Sequence, residues 1–168
     1  MPTRHFSALF LTRSPLKLSF CFKLHARVIL ATALISSGAA LAQTDPALAA
    51  SAKEDGAIVT PTGLVYRSLK DGTGASPAAS DKVKVHYRGT FPDGKEFDSS
   101  YKRNEAIEFP LSGVIKCWTE GVQRMKVGGK AKLTCPASIA YGERGAGNVI
   151  PPKATLLFEV ELLGINGK

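Results

Sequence analysis

An α+β fold, a curved antiparallel β-sheet wrapped on one short α-helix, is the class this sequence predicts, on three observations. Short stretches of strict apolar–polar alternation recur between clusters of Gly, Pro, Asp and Ser, the pattern of half-buried strands joined by turns. One stretch in the second half switches to helical spacing, with Trp118, Val122 and Met125 at i, i+4 and i+7. The chain has 168 residues, 44% hydrophobic and 21% charged, which is ordinary material for one globular core. Several short antiparallel strands and a lone helix bury their apolar faces best when the helix covers one face of the sheet.

The elements follow in chain order. Residues 43–62 are rich in Ala, Ser, Thr and Pro without sustained periodicity, and read as a flexible N-terminal tether. The folded domain is expected over 63–168. Residues 63–69 read as a first strand, closed by the loop KDGTGASPAASD at 70–81. Val83, Val85 and Tyr87 then alternate with Lys84, His86 and Arg88, which puts Tyr87 on an apolar face. A Phe91-Pro92-Asp93-Gly94 turn leads into a short strand at 95–97, and residues 108–111 form another extended piece. The helical stretch begins near Trp118 and ends before Gly128-Gly129. Alternation resumes in KAKLTC at 130–135. Residues 140–152, AYGERGAGNVIPP, carry too much Gly and Pro for regular structure. The last strand, within 153–163, faces Leu156, Phe158, Val160 and Leu162 one way and Leu157, Glu159 and Glu161 the other.

The net charge of +8 suggests a nucleic-acid partner until it is located. Arg4, Arg13, Lys17, Lys23 and Arg27 lie in residues 1–42, which hold no acidic residue, leaving 17 basic and 14 acidic side chains for 43–168. No basic cluster with interleaved aromatics remains there, which argues against nucleic-acid binding. Residues 28–42, VILATALISSGAALA, form an apolar run shorter than the roughly 20 residues a membrane span requires. Basic residues before it and Ala40-Leu41-Ala42 at its end read as a secretory signal peptide over 1–42, cleaved before Gln43. A second small-residue site, Ala47-Leu48-Ala49, competes for the cut, and an uncleaved anchor is the alternative. The expected location is a bacterial periplasm or the exterior.

Trp118 is the only tryptophan, at the mouth of the helix just after Val114 and Ile115. Such an indole either fills the core or floors an apolar pocket. The neighbouring motifs decide between these. VKVHYRGTFPDGKEFDSS (83–100), VIKCWTEGVQRMKVGGKAKLT (114–134), AYGERG (140–145) and IPPKATLLFEVELL (150–163), in unbroken order, resemble the macrolide-binding, FKBP-type peptidyl-prolyl cis-trans isomerases. The resemblance covers roughly residues 58–164 and implies that family's fold. It also implies an isomerase of Xaa–Pro bonds that uses no cofactor and no metal.

The resemblance implies a pocket with Trp118 as floor. Tyr87, Phe97 and Phe158 become aromatic walls, and Val114 and Ile115 an apolar edge. Ile107 occupies a place where relatives carry a larger group, so that wall is expected to be thin. Asp98 becomes the polar residue facing the twisting amide, Tyr141 a hydroxyl donor to a substrate carbonyl, and Ile150 a flap residue. Arg103 pairs with Asp98 or braces Tyr87. Asp98, Tyr141 and Tyr87 are the expected catalytic residues. Implied partners are proline-containing unfolded or nascent exported proteins, with macrolides such as rapamycin as inhibitors, acting on a monomer.

The chemistry is consistent without the family. Rotation about an Xaa–Pro bond has a barrier of about 18–20 kcal/mol because amide resonance must be lost. The twisted amide has less charge separation than the planar one, so a dry aromatic pocket favours it, with no covalent intermediate. The same cleft would also serve a non-catalytic proline-binding module or a holdase chaperone. Asp98 and Tyr141 favour catalysis, because an apolar grip alone would not need them.

Cys21 leaves with the leader, so the mature chain keeps Cys117 and Cys135. In an oxidising compartment an even count favours a disulfide, closing a loop of about 19 residues and contributing roughly 3 kcal/mol. Two buried free thiols are the alternative. A Cys–His nucleophile would need His86, which alternates away from Tyr87, and no oxyanion loop accompanies either cysteine. Cys117, Cys135 and His86 lack the fourth ligand and close Cys pairing of a zinc site.

Overall fold

The protein is described by a computed structural model over residues 45–166. The leader expected at 1–42 lies outside the described residues. The sheet is centred on β3 (Lys82–Thr90) and β7 (Leu156–Asn166), because each carries an unbroken inward row. Val83, Val85 and Tyr87 on β3, and Leu156, Phe158, Val160 and Leu162 on β7, are all buried. Around this pair stand β1 (Ala57–Val59), β2 (Val65–Lys70), β4 (Glu96–Ser99), β5 (Ile107–Pro110) and β6 (Lys130–Cys135). The strand order is β1-β2-β6-β7-β3-β4, and β5 also pairs with β3. Every pairing is antiparallel. β3 divides its free edge, pairing residues 82–85 with β5 and 88–90 with β4. That division opens the sheet at Tyr87, the residue on which the site is built.

Helix α2 (Lys116–Gln123) packs its apolar side on the sheet, with Trp118 and Val122 buried and Met125 buried just beyond its end. The helix can lie this close because Gly121 faces β6. A Cβ there would stand 2.7 Å from a Leu133 methyl, inside contact distance. The outer face of the sheet is polar, and strand register sets Lys132 and Arg88 on either side of Glu159.

The N-terminal segment departs from the tether reading. Residues Pro46–Ala52 form helix α1, and β1 adds an edge strand to β2. Asp45 caps α1 by accepting from the Ala47 N–H at 2.8 Å, with Pro46 supplying a first-turn φ. Three side chains then fasten the segment to the sheet. Thr155 donates to Asp45 at 2.6 Å, Thr134 donates to Ser51 at 3.0 Å, and Glu54 pairs with Arg67 at 2.8 Å and with Lys132. Alanine gives little periodic contrast, so the sequence pattern hid this helix. Domain packing therefore begins by Asp45 rather than at residue 63.

Candidate active site

The floor of the site is the first turn of α2. Trp118 is 4% exposed, and three rings meet its indole edge to face. Tyr87 lies 5.2 Å away, Phe158 5.4 Å and Phe109 5.6 Å, centroid to centroid, at 83–90° between planes. Phe97 joins by a similar contact to Phe158 at 5.6 Å. Edge contacts of this kind contribute about 0.5–1.5 kcal/mol each beyond area burial, so the walls are mutually braced. They enclose a cleft of about 380 Å³ whose remaining rim is Gly113, Val114, Ile115, Asp98 and Tyr141. Among the described residues the indole Nε1 is buried without a hydrogen-bond partner.

A β-bulge aims two consecutive residues into this cleft. Gly89 pairs with Asp98 and Thr90 with Glu96, so Phe97 is the extra residue on β4. Regular alternation would send Phe97 and Asp98 to opposite faces, but here both line the cleft. Directly across, Gly89 presents bare backbone to the rings of Phe97 and Phe158.

Asp98 is the one ionisable acid in the cleft, and its charge is fully engaged. The Tyr87 hydroxyl donates to it in a very short hydrogen bond, and Arg103 Nη1 donates to it at 2.5 Å. Arg103 Nη2 also donates to the Tyr87 hydroxyl at 3.2 Å. Burial alone would raise the Asp98 carboxyl. The hydrogen bonds from Tyr87 and Arg103, and the arginine charge, outweigh it and hold the carboxyl below its usual range. Burial first, and then donation to Asp98, push the Tyr87 hydroxyl up to about 12.

These shifts fix the sign of a pH dependence. A depressed carboxyl contributes stability that is present above its ordinary value of 3.8 and is lost as pH falls through the lower folded value. The raised phenol contributes stability that is full below 10.0 and is lost as pH rises toward about 12. The trio is therefore expected to stabilise the fold evenly across neutral pH and to fail at both extremes. Urea midpoints between about pH 6 and about pH 2 should fall more for the wild type than for Asp98→Asn. Parallel acid limbs would remove the network from the account of stability.

Eight of the residues expected at the pocket come together: Tyr87, Phe97, Asp98, Val114, Ile115, Trp118, Tyr141 and Phe158. Three do not line it. Arg103 stands behind Asp98 and Tyr87, reaching the site only through them. Ile150 is 7% exposed within the core, its backbone bonded to Ala146 in both directions. Ile107 packs against the core, and the wall assigned to it belongs to Phe109, two residues on along the same face of β5. The expected thin wall is therefore an aromatic one. The period-two pattern put both residues on one face, and only the position of Phe109 beside Trp118 separates them. His86 lies away from the cleft, its Nδ1 3.0 Å from Ser100 Oγ and its ring stacked on Tyr101. Cys117 and Cys135 are joined as a disulfide with Cα atoms 5.8 Å apart.

Comparison with known proteins places this arrangement. The sequence profile described as FKBP-type peptidyl-prolyl cis-trans isomerase matches residues 74–163. Over 118 residues the chain is 57% identical to the FKBP-type peptidyl-prolyl cis-trans isomerase FkpA of Aeromonas hydrophila, covering 70% of this chain and 44% of that protein. It is 54% identical over 114 residues to the FKBP-type 22 kDa peptidyl-prolyl cis-trans isomerase of Escherichia coli K12, covering 68% of this chain and 55% of the relative. The chain thus spans about half the length of these curated relatives. Among solved structures it resembles the crystal structure of FkpA from Escherichia coli, with TM-score 0.68 and 50% identity over 70% of this chain and 55% of that one. It also resembles a peptidyl-prolyl cis-trans isomerase from Pseudomonas syringae, with TM-score 0.66 and 38% identity over 71% of this chain and 87% of the other. The matched span runs from the loop before β3 to the end of the inward row on β7 and takes in every residue that lines the cleft. On that match the chain belongs to the FKBP-type peptidyl-prolyl cis-trans isomerase family.

Proposed function

We propose that the protein is a peptidyl-prolyl cis-trans isomerase acting on exported polypeptides at the Trp118 cleft. The observation that carries this reading is an indole floor ringed by three mutually braced aromatic edges, with a single, fully engaged carboxylate on its wall. The proline ring sits on Trp118, and Phe97, Phe109 and Phe158 exclude water from the amide. A dry surrounding penalises the planar amide, which is more polar than the twisted one, and so lowers the rotation barrier.

The polar groups divide the remaining work. The Tyr87 hydroxyl donates to Asp98 and accepts from Arg103, so it has no proton left for a substrate. Its contribution is to hold the Asp98 carboxylate at a fixed place on the wall. Tyr141 differs: its side chain is at the rim, 39% exposed, and its hydroxyl has no partner among the described residues. It is the group able to donate to a carbonyl next to the proline and hold the bond part-rotated.

Export rests on the leader reading of residues 1–42. Residues 45–52 support the earlier of the two cleavage points, since a cut after Ala49 would remove Asp45 and split α1. The exported protein is expected to begin at Gln43 by intact mass.

The deciding experiment is isomerisation of a short Leu–Pro or Phe–Pro peptide, with and without rapamycin. Acceleration abolished by rapamycin is expected. Tyr141→Phe should lower the rate about tenfold, the loss of about one hydrogen bond in the twisted state. No acceleration by folded protein that nevertheless suppresses client aggregation would replace the isomerase with a holdase. Full activity in both Tyr141→Phe and Asp98→Ala would remove these residues from the mechanism.

A further inference from the structure

The bond between Cys117 and Cys135 connects the segment that carries the floor of the cleft to the segment that leads to Tyr141 on its rim. Cys117 lies in the first turn of α2, between Ile115 and Trp118, both of which line the site. Trp118 and the Thr119 hydroxyl, which donates to Leu111 O at 2.7 Å, hold that turn on its cleft side, and the disulfide is its covalent tie to β6. Ile115 stands at the N-cap and supplies no side-chain hydrogen bond to the first helical N–H groups, a place where Ser, Thr or Asp usually serves. An uncapped helix of eight residues does not keep its first turn by propensity alone. Its second half is secured separately, by the close approach of Gly121 to Leu133.

Cys135 is the last residue of β6, and the chain beyond it is a short, internally bonded arm. The Ile139 N–H reaches Pro136 O at 3.2 Å, and the N–H groups of Ala140 and Gly142 reach Ala137 O at 3.0 and 2.8 Å. Tyr141 sits at the end of that arm, six residues from Cys135. Both cysteines are fully buried, so the link lies behind the cleft rather than in it.

We propose that the Cys117–Cys135 disulfide is a positioning element of the active site, setting the Trp118 floor against the arm that carries Tyr141. This rests on the isomerase reading of the cleft. With the bond opened, the sheet and the second half of α2 keep their contacts, while the first turn of α2 and the Tyr141 arm lose their common reference. A misplacement of about 1 Å between groups that act together costs up to about a hundredfold in rate.

The test uses the full-length protein exported and oxidised, then unfolded, reduced with dithiothreitol and refolded in reductant, so that both sulfur side chains remain in place. The oxidised protein must first catalyse isomerisation; if it does not, the functional reading fails and the disulfide is not at issue. Given activity, the reduced protein, at a temperature where circular dichroism shows it folded, should isomerise at least about tenfold more slowly. Emission from Trp118, the only tryptophan, should shift, and reoxidation should restore both signals. A bond that only stabilises the fold would lower the melting temperature and leave the rate and the emission unchanged, and that result overturns the proposal. If the reduced chain does not refold, Cys117→Ala/Cys135→Ala, tested below its own melting temperature, is read by the same two signals.

Discussion

Replacing Trp118 with alanine is expected to cost about 3–5 kcal/mol of folding free energy and to reduce isomerisation to the uncatalysed rate. The side chain is 4% exposed and is the common partner of Tyr87, Phe109 and Phe158. Its removal forfeits the transfer free energy of the indole and leaves a cavity that three rings with fixed backbones cannot close. It also removes the surface on which a proline would rest, so the stability and activity losses share one cause. Domains of this size have only about 5–15 kcal/mol in total, so the variant should unfold early in urea while still folding in its absence. Val149→Ala, at a side chain 58% exposed on the neighbouring loop, should stay within about 0.5 kcal/mol of the wild type. Urea midpoints by circular dichroism and a prolyl-peptide assay check both. A Trp118→Ala protein with a near-normal midpoint and rate would show that the indole is neither keystone nor floor.

Gly89→Ala should separate activity from fold. An added methyl would stand 2.5 Å from Phe97 Cζ, 2.7 Å from Phe97 Cε2 and 3.1 Å from Phe158 Cε1. The two Phe97 distances are too short for a real contact, the Phe158 distance is a tight one, and the rings cannot compress. Phe97, on the bulged edge strand, has to swing into or away from the cleft, and Phe158 has to shift with it. The stability cost is expected at about 1–3 kcal/mol, typical of overpacking, because β3 keeps its pairing with β7. The rate should fall by more than tenfold, because two of the walls of the cleft move together. Retained activity with unchanged rapamycin affinity would mean that the walls tolerate displacement and that their positions do not govern turnover.

These two sites also show what the sequence could and could not reveal. Alternation in 83–88 was enough to place Tyr87 inside, and the i, i+4, i+7 spacing was enough to bury Trp118, Val122 and Met125 together. Both patterns are local, and burial of an apolar row follows from them directly. The bulge that turns Phe97 and Asp98 to the same side depends on register between β3 and β4, which no stretch of β4 encodes by itself. Ile107 and Phe109 share a face by spacing, so their roles separate only when β5 is laid beside α2. Helix α1 was missed for a related reason. Four of its seven residues are alanine, and its anchors, Thr155, Thr134 and Lys132, come from the far end of the chain.

That last feature bears on the order in which the chain is assembled. Asp45 and Thr155 are 110 positions apart, Ser51 and Thr134 83, and Glu54 and Lys132 78. The first part of the domain to be synthesised can pair locally with β2, through β1 and through Glu54 and Arg67, but these three bonds wait until β6 and the start of β7 exist. Contacts of such long separation form after loop closure has been achieved elsewhere, which makes the N-terminal latch a late step in folding. A chain that emerges N-terminus first meets these three partners only after β6 has followed, and Thr155 last of all. The latch thereby acts as a completion seal, fastening the segment that covers the edge of β2 only once β6 and β7 are in place.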